Sequence, residues 1–351
     1  MYPQTNQRAA SKRSKLFRIA VGPWHAIRLL SGLCYLALVS SAWAQAPQFN
    51  WATSAGGPSI DYGRSAVVDQ QGNTVVVGTY EGSATFGGIV LPASTYGRTA
   101  FVTKYNANGT VNFAAAAMTS AYFSVGYGAA LDRDENVFVT GYAQTSPQSG
   151  SYQTFIEKHG PSGNLVWSRQ SSGVNDSRAG TGIAVDQSGN AYVIGWFYGQ
   201  PITFGTNTVS STGGADVFLV KYDRDGNAVW ARRAGGLNSD YGASIAIDPQ
   251  GNVVIGGVFC SPANFGNIGL TGSGSCQDFF LAKCDAQGNF LWAVSIAGNA
   301  AGSYDPSSYQ GVASDQQGNI CFAGSFNPAG KIGIHLFDHL DVESHSTDLL
   351  I

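Results

Sequence analysis

Two short phrases set a carboxylate beside a phenol and a glycine, Asp61-Tyr62-Gly63 and Asp240-Tyr241-Gly242. Asp176-Ser177, Asp305 and Tyr127-Gly128 stand at related points of the chain. Carboxylates gathered around an opening would hold a cation or meet an array of sugar hydroxyls. The competing use is local, because an aspartate readily accepts hydrogen bonds from nearby backbone amides and caps its own loop. Asp61, Tyr62, Tyr127, Asp176, Asp240, Tyr241 and Asp305 are therefore the candidate binding residues.

Covalent and metal chemistry find less support. Neither a Gly-x-Ser-x-Gly nucleophile elbow nor a zinc-binding His-Glu-x-x-His run occurs. Asp223, Asp225 and Asn227 alternate as in an EF-hand loop, but the glycine and glutamate that complete such a loop are missing. The run from Asp223 to Trp230 is similar to a sialidase Asp-box, yet its aromatic stands one residue too far from the glycine, so it reads as a hairpin. His335, His339 and His345, with Asp338, Asp341 and Glu343, form a metal-like group whose spacings fit no standard site. No cofactor and no metal are expected.

Cys260 and Cys276 flank the neck of one loop and are expected to form a disulfide. Closing a loop of about 15 residues is worth roughly 3 kcal/mol when only unfolded-chain entropy is counted. Cys284 stands where Tyr105 and Tyr222 stand in other segments, and Cys321 replaces Tyr192, so both read as apolar substitutions.

Those segments are repeats. Asp69-Gln-Gln-Gly72-Asn73 recurs at Asp186, Asp248 and Asp315, with a degenerate copy at Asp132, and the spacings are 63, 54, 62 and 67. Each copy precedes a β-rich run ending in glycine, such as Ala191-Tyr-Val-Ile-Gly195. A second phrase follows, Phe218-Leu-Val-Lys221-Tyr-Asp223 to Asn227, with counterparts at Phe101, Phe155 and Phe280. Trp167, Trp230 and Trp292 then stand four residues after a turn glycine, with Phe113 in the first unit. Aspartate accepts amides two residues on and glycine supplies positive φ, so both phrases are tight turns between strands. Four antiparallel strands per unit of about 60 residues, repeated radially, is the logic of a β-propeller blade. An all-β propeller is thus the expected fold, with units at about 58-118, 119-173, 174-235, 236-297 and a partial one at 298-351.

Asp-Tyr-Gly, Ile-Ala-Val-Asp-Gln-Ser-Gly-Asn, Gly-Gly-Ala-Asp-Val-Phe-Leu-Val-Lys-Tyr-Asp and Gly-Asn-Ala-Val-Trp together resemble the bacterial SBBP beta-propeller repeat over roughly residues 49 to 326. The resemblance implies an extracytoplasmic or cell-surface repeat protein and brings no catalytic set with it. The Ile-Ala-Val-Asp-x-x-Gly-Asn core also resembles the NHL repeat, whose shorter period ranks it second.

If the first strand of each unit lines a central channel, the Asp-Gly turns occupy one face and the candidate residues the other. The connection between second and third strands runs 26 residues from Gly78 to Lys104 and from Gly195 to Lys221, but 17 from Gly141 to Lys158. Paired apolar residues five apart (Phe86 and Leu91, Phe204 and Val209, Phe265 and Leu270) make the long version a packed hairpin. The second unit should leave a notch, the best place for a partner. Phe49 to Gly57 reads as a lone fourth strand. Phe337 and Val342 keep the hairpin spacing, and Asp348 to Ile351 falls where a third strand begins. The expectation is a chain that stops within a blade, with its natural continuation past Ile351 and an open strand edge that promotes association.

Residues 1–46 hold six basic and no acidic residues, then an apolar stretch from Leu29 to Val39 and Ala44-Gln45-Ala46, the pattern of a signal peptide cleaved before Pro47. The apolar stretch is shorter than the ~20 residues a bilayer span needs. Leu33 before Cys34 argues against lipidation. The mature chain keeps 13 basic residues (19 minus 6) against 22 acidic ones, about −9, which disfavours nucleic acid as a partner. The expected product is secreted, periplasmic or on the outer cell surface, with no membrane span once matured. Its expected role is a non-enzymatic binding or scaffold module for a glycan, matrix polymer or protein. The alternative is a propeller-fold extracellular hydrolase or lyase acting on polysaccharide or peptide, which would need an off-repeat polar cluster at the channel mouth.

Overall fold

The computed structural model describes residues 50–93, 97–147, 150–173, 178–272, 276–296, 311–326 and 331–337. These residues form strands and no helix, so none is long and apolar enough to cross a membrane.

Four blades share one order of four antiparallel strands, that of blade III being continued by a hairpin into a six-stranded sheet. Blade I comprises Tyr62–Val68, Thr74–Glu81, Arg98–Tyr105 and Val111–Ala117, and blade II comprises Phe123–Leu131, Val137–Gln144, Gln153–His159 and Leu165–Gln170. Blade III comprises Arg178–Val185, Ala191–Phe197, Asp216–Tyr222 and Ala228–Gly236, and blade IV comprises Tyr241–Ile247, Val253–Cys260, Cys276–Cys284 and Phe290–Ile296. In blade V, Gly311–Ser314, Ile320–Phe326 and Lys331–Phe337 make a three-stranded sheet.

The tight turns obey the chemistry of their residues. Asp69 Oδ1 accepts the amides of Gln71 (3.0 Å) and Asn73 (2.8 Å), and its other oxygen accepts the Asn73 side-chain amide. Asp132, Asp186, Asp223, Asp248, Asp285 and Asp315 repeat the arrangement. The turn glycine has positive φ, for example +81° at Gly72, whereas Glu135 holds +60° in the degenerate copy.

The core lies between blades, where the faces of neighbouring sheets meet. Phe138, Ile156 and Trp167 of blade II pack with Ile183, Val193, Phe218 and Tyr222 of blade III. In blades I, II and III the fourth-strand aromatic fastens the blade to the next one. Trp167 Nε1 donates to the Arg224 carbonyl and Trp230 Nε1 to the Ala286 carbonyl, both at 3.1 Å. Their rings cover the next blade's turn glycines, so a Cβ on Gly226 would lie 2.8 Å from Trp167 and one on Gly288 3.1 Å from Trp230. Phe113 covers Gly163 in the same way.

Trp51 covers Gly109 and stacks on Tyr105 at 5.8 Å. Ala55–Gly56 pairs with the hairpin strand Ala84–Phe86, just as the end of blade III, Ala234 to Gly236, pairs with Ala263–Phe265. The segment from Trp51 to Gly56 therefore occupies a fourth-strand position against blade I, as its sequence suggests.

The long connections are packed hairpins. Ala84–Phe86 with Ile89–Leu91, Ile202–Phe204 with Asn207–Val209, and Ala263–Phe265 with Ile268–Leu270 pair antiparallel. Each sets its phenylalanine on the next strand's, at 4.7 Å for Phe86 and Phe101 and 5.0 Å for Phe204 and Phe218. Blade II has no such hairpin among its described residues. The last blade departs from the expectation. Lys331–Phe337 pairs with the whole of Ile320–Phe326, Ile320 opposite Phe337, and so takes the third-strand place assigned to Asp348–Ile351. The run Lys-Ile-Gly-Ile-His-Leu-Phe alternates with a period of two, which outweighs the five-residue spacing of Phe337 and Val342. Val342, the remainder to Ile351, and the acidic and histidine residues past Phe337 lie outside the described residues.

Candidate functional site

The first strands of all five blades line one central cavity of about 550 Å³. Its walls are residues 63–67 of blade I, 127–129 of blade II, 181–183 of blade III, 243–245 of blade IV and Val312 of blade V. The mouth on the loop face, where first strands begin, is built by a repeated irregularity.

In blade I, Gly63 pairs with Gly78 and Ser65 with Val77, leaving Arg64 without a partner in the ladder. Tyr127, Thr181 and Ala243 are the extra residues at the same point of blades II, III and IV. Such a bulge re-aims one side chain and sharpens the local twist. It also explains the glycine that ends each second-strand phrase: a Cβ on Gly78, Gly141, Gly195 or Gly257 would strike the carbonyl of Tyr62, Val125, Ala179 or Tyr241. The repeat thus builds one scaffold position in each of blades I to IV and fills it four different ways.

This register corrects one expectation. Tyr127 is not the counterpart of Tyr62, because Gly126, not Gly128, aligns with Gly63. The one-residue offset introduced by the bulge is invisible until the ladder is known.

At the boundary of blades I and II the mouth is basic and aromatic. The Arg64 guanidinium sits over Tyr127 at 4.7 Å and over Tyr62 at 5.5 Å, and that of Arg98 over Tyr62 at 5.6 Å. Tyr127 meets Tyr142 at 5.7 Å, Tyr142 meets Tyr152 edge-on at 5.1 Å, and Phe123 stacks on Tyr142 at 6.0 Å. Tyr142 and Tyr152 flank the short connection of blade II, where the sequence places a notch. Burial, reinforced by the neighbouring Tyr127 and Tyr152 phenols, pushes the Tyr142 hydroxyl far up, against the opposing charges of Arg64 and Arg98. It stays a neutral hydroxyl at any physiological pH. Tyr62 is 41% exposed.

The aspartates do not join them. Asp61 accepts the amides of Gly57 (2.7 Å) and Glu81 (3.2 Å), and Asp240 those of Gly236 (2.7 Å) and Cys260 (2.9 Å). Both tie the entering loop to the end of the second strand, which is the local use of an aspartate. Asp240 is only 1% exposed and does not reach the mouth. Burial, helped by the charge of Asp216, raises its carboxyl to about 7 against the hydrogen bonds from Cys260 and Gly236 and the charge of Arg233. Tyr241 is half-buried, edge-on to Trp196 at 5.5 Å, apart from the Arg64 cluster. Asp176 and Asp305 lie outside the described residues.

Other polar groups serve the blades. Lys104, Lys158 and Lys283 of the Phe-x-x-Lys phrase reach Asp69 (3.4 Å), Asp132 (3.2 Å) and Asp248 (2.6 Å) of their own blade. In blade III, Tyr192 takes the bond to Asp186 and Lys221 lies over its ring at 5.0 Å. An off-repeat pair, Glu157 and His159 at 3.1 Å, is buried inside blade II, where Glu157 accepts the Met118 amide. Among the described residues no group of histidine, cysteine, aspartate and glutamate could hold a metal. The ladder sets Cys260 opposite Cys276, an arrangement suited to the expected bond, and Cys284 and Cys321 are free thiols.

Residues 166–196 match the beta-propeller repeat SBBP. An uncharacterized WD repeat-containing protein of Acanthamoeba polyphaga mimivirus is 32% identical over 163 residues, 39% of this chain and 12% of that protein. The regulatory protein FlaEY of Caulobacter vibrioides is 28% identical over 146 residues, 41% of this chain and 15% of that protein. The chain thus spans less than a sixth of either relative. A protein of unknown function from Dyadobacter fermentans, at 8% identity, covers 77% of this chain and 73% of its own, with a TM-score of 0.45.

Proposed function

We propose that this chain, a carrier of β-propeller repeats, is a secreted or cell-surface binding and scaffold module without catalytic activity of its own. Its loop-face mouth and the adjoining notch of blade II engage an extracellular glycan, matrix polymer or protein. One observation carries the reading: the bulge position, occupied by Arg64, Tyr127, Thr181 and Ala243, differs in each of blades I to IV while the turns and fastening aromatics recur. A position that the fold builds repeatedly, but leaves chemically unconstrained, is where recognition is carried. Exposed and half-buried aromatics beside it supply contact area at small entropic cost.

A glycan array probed with the chain beginning at Pro47, followed by product analysis of every bound glycan, tests the reading. Binding with recovery of the intact glycan is the expected result. Turnover of a bound glycan would replace it with the hydrolase or lyase alternative.

A further inference from the structure

We infer that the mouth selects an anionic glycan, one whose carboxylate or sulfate groups are held by Arg64 at the rim that Tyr62 and Tyr127 frame; this rests on the binding role proposed above. Arg64 is the one residue among those lining the cavity that carries a charge at neutral pH. It is exposed, and among the described residues no carboxylate lies within ion-pair distance of it. Asp61, the nearest acidic residue in sequence, is turned away onto the amides of Gly57 and Glu81. An uncompensated cation stands out in a mature chain of about −9.

The two tyrosine rings hold the guanidinium in place by cation–π attraction, at 5.5 Å from Tyr62 and 4.7 Å from Tyr127, without consuming its N–H donors in an ion pair. Those donors form a fork matched to two oxygens of a carboxylate or sulfate. Arg98 also lies over Tyr62, but its charge is paired with Glu81 at 3.8 Å, so the unpaired charge at this rim is that of Arg64. The cavity, about 550 Å³, is of the size that takes small ligands. A polymer leaving it finds Tyr142 and Tyr152 along the notch. Hydroxyl-tipped rings match the apolar faces and polar edges of pyranoses.

The test measures binding of the chain from Pro47 to polygalacturonate, dextran sulfate and neutral dextran, at two salt concentrations. Arg64→Ala, Arg64→Lys and Arg133→Ala are compared, the last on the turn face, with thermal melts to confirm that each folds. The expected result is preference for one or both anionic polymers, lost about tenfold or more in Arg64→Ala, partly regained in Arg64→Lys and unaffected by Arg133→Ala. Polygalacturonate alone assigns a carboxylate ligand and dextran sulfate alone a sulfate ligand. Equal binding of dextran, or equal loss in Arg133→Ala, would overturn the anionic assignment and leave glycan binding standing. Failure of all three polymers, with an empty glycan array, would overturn both, and capture of an acidic peptide in their place would reassign the mouth to a protein partner.

Discussion

Glu135 holds a left-handed backbone, φ +60°, where the other Asp-x-x-Gly turns use glycine. That conformation costs an L-residue roughly 1–2 kcal/mol. Its side chain offsets part of this by meeting the buried Lys104 ammonium at 2.8 Å from the exposed side, a pair that solvent screening at Glu135 keeps to about 1 kcal/mol. Lys104 keeps Asp69 when Glu135 is removed. Glu135→Gly is therefore expected to raise stability by up to about 1 kcal/mol in urea titration, and a clear loss would show that the ion pair dominates. Asp240 gives a pH signature. Its folded carboxyl, raised to about 7 from an ordinary 3.8, keeps a proton that the unfolded chain has released. Between those values the folded state binds more protons, so this group's contribution to stability falls as pH rises through about 7. The turn aspartates act oppositely. At Asp248, for instance, burial alone would raise the carboxyl, but hydrogen bonds from Lys283 and Asn252 bring it below 3.8, so its contribution fades only in acid. Comparing Asp240→Asn with the parent from pH 4 to 8 isolates the first effect. The difference should narrow on the alkaline side, and a constant difference would contradict the raised carboxyl.

The strands and turns were legible because their chemistry is local: aspartate, glycine and a β-rich run specify a hairpin within a dozen residues. What binds one element to another was not. The Lys104 to Asp69 pair and its equivalents join two recurring phrases that sequence reading treats separately, because the contact runs across the sheet. The bulge hid Arg64, since an unpaired residue shifts the alignment by one and set Tyr127 against Tyr62. A signal was present: superposing Gly63, Gly126, Gly180 and Gly242 exposes the variable residue that follows each. The inter-blade fastening makes a direct prediction. Trp230→Ala removes an aromatic seated over Gly288 and the hydrogen bond to Ala286, so it should cost about 3–5 kcal/mol. Trp230→Phe should recover most of it, and a loss under 1 kcal/mol in chemical denaturation would show that the blades hold together without it. The disulfide is a prediction of the same scale. Peptide mapping without reduction should recover Cys260 and Cys276 as one linked pair, and alkylated Cys260 would refute it.

The repeat uses seven aspartates in its turns and pairs three lysines to them, while one position in each of blades I to IV opens on the channel. The sequence signalled a mouth, a notch and a ring of carboxylates. The cavity lies on the first strands, but the carboxylates of Asp61 and Asp240 are spent on backbone amides and the charged residue lining the channel is basic. The proposed recognition site is therefore the boundary of blades I and II. Hydrogen–deuterium exchange of the chain from Pro47, with and without a bound extracellular glycan, tests that placement most directly. Protection is predicted at residues 62–67, 123–128 and 141–144, with the glycan recovered intact. Protection confined to the Asp-Gly turns at 69–73 and 132–136, or loss of the glycan to turnover, would contradict it.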